Sequence, residues 1–190
     1  WLLEDAVLID MSRDFRFAEE AGDFVYGLPE LYKEEVQKAK AIANPGCFAT
    51  AIQLALLPLA KNGLLNQQPI HVQAITGSTG AGQQPSATSH FSWRANNLSV
   101  YKAFKHQHLD EIKQGLSKAE GSDLKSPIHF IPIRGNFSRG IFASITLETS
   151  KSLEELEDLY QAYYKYDPFV QYSSENINLK QVVNSNRCLL

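Results

Sequence analysis

The sequence predicts an α+β fold, a mixed sheet covered by helices on one face. Three observations predict it. Ile70 to Thr76 alternates, with Ile70, Val72 and Ala74 on one face and His71 and Gln73 on the other; Ile141 to Leu147 alternates as clearly. A period of two marks a half-buried strand. Leu109, Ile112 and Leu116 recur instead at helical spacing, as do Leu153, Leu156, Leu159, Tyr160 and Tyr163. Strands and helices are mixed, and several strands arrive through long connections.

In chain order, Ala6 to Asp10 reads as a short buried strand. Leu31 to Ala41 is rich in Glu and Lys and reads as a surface helix, followed by a second short strand over Ala41 to Asn44. Ala43-Asn44-Pro45-Gly46 is a turn. After Cys47, Thr50 to Leu57 is strongly helical; Asn62-Gly63 ends the run, and Pro58 inside it predicts a kink or break. Gly77 to Ser89 is a long polar loop. Ile128 to Ile133 is a further strand. Ser152 with Glu155 fits a capping box, opening the last helix. The chain begins at Trp1, without Met or a signal pattern, and both ends are apolar and stop in mid-pattern. The expectation is a piece of a longer protein.

The 190 residues carry 18 basic and 21 acidic side chains and are 44% hydrophobic. That length buries a core without covalent staples. The mild net charge of -3 argues against a nucleic-acid partner. No apolar run approaches the roughly 20 residues of a transmembrane helix. Two cysteines make no disulfide scaffold. The expectation is a cytoplasmic protein with neither membrane nor nucleic acid as partner. Asn97-Leu98-Ser99 and Asn136-Phe137-Ser138 match glycosylation acceptors, with nothing else pointing to secretion.

Chemistry concentrates around Cys47. A thiol at a turn leading into a helix meets unpaired backbone N–H groups and the positive end of the helix dipole; both favour thiolate. The same N–H groups would hold a developing oxyanion. A buried structural cysteine is the competing reading, and it is the one adopted for Cys188. His106 and His108 lie two apart, on one side of an extended segment. Three readings stand: a metal pair, which lacks a third ligand and is not adopted; an acid/base partner for Cys47; and solvated loop histidines. His71, His90 and His129 read as structural. Thr76-Gly77-Ser78-Thr79-Gly80-Ala81-Gly82 follows a strand, and such loops cradle phosphate on backbone N–H groups, but it is neither GxGxxG nor a P-loop. Arg16, Arg134 and Arg139 would fork onto a carboxylate or phosphate, or form surface ion pairs. The aromatic set from Tyr160 to Tyr172 reads as core or subunit interface.

The stretches IDMSRDFRF (9–17), YGLPEL (26–31), NPGCFATA (44–51), GSTGAG (77–82), YKAFKHQHLDE (101–111) and SRGI (138–141) resemble, in order, the N-acetyl-gamma-glutamyl-phosphate reductases. That family belongs to the semialdehyde dehydrogenases, similar in fold to glyceraldehyde-3-phosphate dehydrogenase. The resemblance implies a largely antiparallel catalytic sheet plus a remnant of a Rossmann domain, divided as 1–46 and 47–190, the latter truncated at its C-terminal end. It implies NADPH-dependent reduction of an acyl phosphate substrate to a semialdehyde in arginine biosynthesis, through a Cys47 thioester. His106 matches the acid/base and His108 its companion. Arg16 and Tyr101 match positions near the substrate, with Arg134 and Arg139 added to that set. Thr76, Gly77 and Ser78 sit where the family approaches NADP. No metal is implied, and a homo-oligomer pairing through the large sheet is.

The chain departs from the family in lacking the Gly-rich dinucleotide half and a terminal segment; Phe48-Ala49 also replaces a frequent Tyr-Pro. The chain alone is therefore expected to be inactive, to bind NADP weakly at best, and to expose apolar surface on its strand remnant. The acyl group is not legible. An N-succinyl-glutamyl or N-acetyl-aminoadipyl phosphate stays open, as do a thiol hydrolase and a binding module without chemistry.

Overall fold

The computed structural model describes residues 6–65 and 68–190. Among these, β1 (Leu8–Asp10), β2 (Val25–Tyr26) and β3 (Ala41–Ala43) form a parallel sheet in the order β1-β3-β2. Helix α1 (Pro29–Lys38) connects β2 to β3 and buries none of its residues. It ends before Ala41, short of the span its composition suggested, because Ala41 to Ala43 pair with both neighbouring strands. Such pairing outweighs local helix propensity.

The larger sheet has the order β5-β6-β4-β7, built from β4 (Ile70–Thr76), β5 (Ser99–Val100), β6 (Ile128–Arg134) and β7 (Ile141–Thr146). The central β4–β6 pair is parallel, and both outer pairs are antiparallel. Register puts Val72 beside Phe130 and Ile145 on the core face. His71, Gln73, His129, Phe142, Ser144 and Thr146 alternate with them and are exposed on the other face. The core lies between this sheet and α2 (Cys47–Lys61), α4 (His108–Glu120) and α5 (Leu153–Tyr164). The short α3 (Phe91–Arg94) interrupts the loop before β5. At the C-terminal end, β8 (Val170–Gln171) and β9 (Cys188–Leu189) pair in parallel and pack Cys188 against the core. The capping box at Ser152 and Glu155 opens α5 as its sequence predicts.

Helix α2 is apolar nearly all round, and ten of its residues are buried. It continues through Pro58 to Lys61, so the proline does not break it. Proline removes the N–H that would bond the carbonyl four residues back, that of Leu54. The buried Tyr164 hydroxyl donates to that carbonyl, and the neighbouring Tyr160 hydroxyl donates to Ala55 O. The Tyr164 hydroxyl from α5 thus replaces what the proline took away. Opposite them, α4 approaches α2 closely at Gly115, where a Cβ would lie 1.6 Å from Gln53 Oε1.

Leu8 and Ile9 of β1, with Val7 and Met11 beside it, are 40–70% exposed; the strand is not buried as its apolar run suggested, and it presents the apolar surface expected of a remnant. No helix among the described residues is long and apolar enough to cross a membrane.

Candidate active site

Cys47 is the first residue of α2, with Gly46 as an extended N-cap. Apolar helix pattern and preceding turn together place it there. The first turn of α4 grips that turn from both sides. A Cβ on Gly46 would fall 2.4 Å from His108 Nε2, so only glycine lets the buried imidazole close over the backbone. On the other side, Gly46 N–H donates to Glu111 Oε1 at 2.6 Å. His108 and Glu111 lie three apart, on one helix face.

His106 lies in the irregular segment just before α4 and His108 is the first residue of that helix, so the two do not share the extended segment expected. The two imidazoles still meet, with ring centroids 4.7 Å apart, and His108 N–H donates to His106 Nδ1 at 3.2 Å. Phe48, Tyr101 and Phe130 stand edge-on to His106.

A cavity of about 780 Å³ is walled by Cys47, His106, His108, Arg16, Tyr101, Arg134 and Thr76. Arg13, Arg94 and Lys102 join its wall, and no acidic side chain does. Arg94 is spent on the carbonyls of Thr88, Asn97 and Arg134 and the Ser99 hydroxyl, tying the loop down. Arg134 lies over the Tyr101 ring at 4.5 Å, and its Nε is buried without a partner. The Arg16 Nε and His108 Nδ1 are likewise unpaired. The two buried, unsatisfied guanidinium N–H groups suit an anionic guest.

A second cavity, of about 670 Å³, shares Cys47, Thr76 and Gly80 with the first and runs between α2, β7 and the C-terminal segment. It takes Gly77 and Arg139, so Arg139 stands apart from the other two arginines. Ser78 lines neither cavity. The loop offers no phosphate cradle: the N–H groups of Gly77, Ser78 and Thr79 donate to Gly140, Phe137 and Ser138, and those of Gly80 and Gly82 are bonded within it. Gly77 serves a close approach instead, since a Cβ would lie 2.3 Å from Ser138 O.

Burial dominates the titration of the site. It pushes the Cys47 thiol up; the N–H groups of Phe48 and Cys47 and the charge of Arg16 pull the other way without winning. Cys47 is nevertheless exposed to solvent, so part of that burial is relieved. The helix N-terminus alone therefore does not make a thiolate here, contrary to the sequence argument. Burial, aided by positive neighbours, lowers His106 and His108 to about 4, so both are neutral at pH 7. Among the described residues, no three His, Cys, Asp or Glu gather to hold a metal.

Sequence reasoning missed Glu111. It is 1% exposed, receives the Tyr26 hydroxyl at 2.7 Å as well as Gly46 N–H, and faces Arg16 at 3.5 Å. Its spacing from His108 was the available signal.

A cysteine opening α2, a pair of neutral histidines and a cavity with only cationic charged side chains thus lie together on this mixed sheet. The chain belongs to the semialdehyde dehydrogenase family: residues 47–190 match the model for "Semialdehyde dehydrogenase, dimerisation domain". It is 56% identical over 187 residues to the N-acetyl-gamma-glutamyl-phosphate reductase of Bacteroides fragilis, covering 98% of this chain and 58% of that one. With the enzyme of the same name from Azobacteroides pseudotrichonymphae the identity is 57%, covering 96% and 56%. The chain thus spans somewhat over half the length of these relatives. Aspartate semialdehyde dehydrogenase II of Vibrio cholerae shares the fold, with a TM-score of 0.68 at 17% identity over 96% of this chain and 61% of that one.

Proposed function

We propose that the full-length protein reduces N-acetyl-gamma-glutamyl phosphate to the semialdehyde in arginine biosynthesis, and that this chain supplies its acyl-transfer half. One observation carries the reading: Cys47 and neutral His106 share a cavity whose charged side chains are all cationic. An acyl phosphate brings a carboxylate and a phosphate, and Arg16, Arg134 and Lys102 complement both. Tyr101 holds Arg134 in place from beneath its guanidinium.

His106 takes the thiol proton on Nδ1, the nitrogen that carries its lone pair, and gives up the bond from His108 N–H as it does so. The sulfur attacks the acyl carbon, the carbon–oxygen bond to phosphate breaks, and phosphate leaves. A thioester on Cys47 remains. The Cys47 and Phe48 N–H groups face the carbonyl oxygen as charge develops. NADPH, when bound, supplies the hydride that reduces this thioester. The wall shared by the two cavities around Thr76 would take its nicotinamide end; the following loop, its amides paired, offers no cradle for the dinucleotide phosphates. Residues 1–46 are read as a remnant of the cofactor domain, and the chain alone as unable to turn over. The exposed sheet face, with His71, Gln73 and Phe142, is where two copies pair in the cytoplasmic enzyme.

The test needs no cofactor. Incubation with N-acetyl-gamma-glutamyl phosphate should leave a hydroxylamine-labile acyl group on Cys47, found by peptide mass spectrometry, and His106→Ala should slow its appearance. No adduct on the folded chain would refute the reading. Full reductase turnover by these 190 residues would refute the division of labour.

A further inference from the structure

We propose that Glu111 is the positioning residue of this site, joining Arg16, the Gly46–Cys47 turn and Tyr26 through one buried carboxylate. The inference rests on the reading of Cys47 as nucleophile.

The argument is geometric. Arg16 comes from the loop after β1, Tyr26 from β2, Gly46 from the turn before α2, and Glu111 from α4. These four separate segments meet at two carboxylate oxygens. Oε1 accepts from Gly46 N–H at 2.6 Å and from the Tyr26 hydroxyl at 2.7 Å; Oε2 faces Arg16 Nη1 at 3.5 Å. The tyrosine is itself fixed, because Gln53 Nε2 donates to its oxygen at 2.9 Å. Burial and the adjacent carboxylate push the Tyr26 hydroxyl well above its ordinary pKa, so it stays a donor. Arg16 donates its other amino group to Met11 O at 3.3 Å, which aims the remaining edge at the cavity.

A buried carboxylate is costly unless paired, and here every pairing leads to the site. Glu111 lines neither cavity and touches no reacting atom. It acts through others: it sets the backbone before Cys47 and holds the cation nearest the substrate. Each partner acts oppositely on the thiol. Arg16 favours the thiolate and Glu111 disfavours it.

Those opposite signs give the test. The readout is the pH profile of Cys47 alkylation by iodoacetamide in the whole chain, resolved from Cys188 by peptide mass spectrometry. Glu111→Gln should move the Cys47 midpoint down by about half a pH unit, some ~3-fold more thiolate below the midpoint. Arg16→Gln should move it up, because the carboxylate is left uncompensated. Loosening of the fold moves both variants the same way, down toward a free thiol near pKa 8.5. Arg16 labelling by phenylglyoxal should rise several-fold in Glu111→Gln, while Cys188 stays slow. Opposite shifts support the proposal. Shifts of one sign, or unchanged profiles in both variants, overturn it. Cys47 inert across pH 6–10 in the unaltered chain refutes the nucleophile reading first, and the inference falls with it. A reactive Cys47 indifferent to both variants refutes the inference alone.

Discussion

Removing the Tyr164 hydroxyl tests how α2 survives a proline in its interior. Pro58 orphans the Leu54 carbonyl, and Tyr164, 4% exposed, donates to it. In Tyr164→Phe the ring still fills its place, but a buried acceptor is left unpaired. That costs about 1–3 kcal/mol. For a chain of this size 1 kcal/mol shifts Tm by about 2–4 °C, so a cost of about 2 kcal/mol lowers Tm by roughly 4–8 °C. The decisive comparison is in a Pro58→Ala background. Alanine restores an N–H four residues after Leu54, and the helix then satisfies that carbonyl itself. Tyr164→Phe should there cost at least ~1 kcal/mol less, a coupling that a double-mutant cycle resolves. The assay is urea unfolding followed by far-ultraviolet circular dichroism, with Cys47 alkylation as a check on the distant end of the helix. An equal cost of Tyr164→Phe in both backgrounds would refute the reasoning, since the hydroxyl would then not be standing in for the lost N–H.

Two further outcomes follow from the site. Gly46→Ala places a methyl group 2.4 Å from the buried His108 ring; the expected cost is about 1–3 kcal/mol by thermal unfolding, with Cys47 alkylation changed, and unchanged values in both would mean the turn is not gripped. His106 and His108 are lowered to about 4, so the unfolded chain takes up protons near pH 6.5 that the folded chain refuses; stability should be full above pH 6.5 and fall progressively toward pH 4, and His108→Asn should flatten that slope in a pH series of urea midpoints.

Much of the site was legible because its signals are local. Cys47 at a turn before an apolar helix needs only the sequence between Asn44 and Leu57 to be found, and the motif order around it carries the family. Continuity of α2 through Pro58 was not legible, for the opposite reason. Its remedy lies about a hundred residues away in α5, where no local pattern reveals it. The 77–82 loop had glycines but no complete phosphate motif, and its amides are in fact satisfied by residues 137–140 and within the loop itself; Gly77 is needed because the 138–139 backbone passes so near. Arg139 resembled Arg134 in sequence, but the bend between β6 and β7 turns it to the other cavity.

Sequence was enough for the longer strands and helices, for the family and for Cys47 as a candidate nucleophile, because periodicity, turn chemistry and short motifs act over a few residues; the two-residue strands β2, β5 and β8 carry no such signal. Tertiary structure alone decided the electrostatics. Burial, a property of the packed whole, raised the Cys47 thiol against its helix dipole and kept both histidines neutral. It also gathered Glu111, Arg16, Tyr26 and Gly46 from four segments around one carboxylate, because a charge taken from water must find its partners wherever the fold brings them.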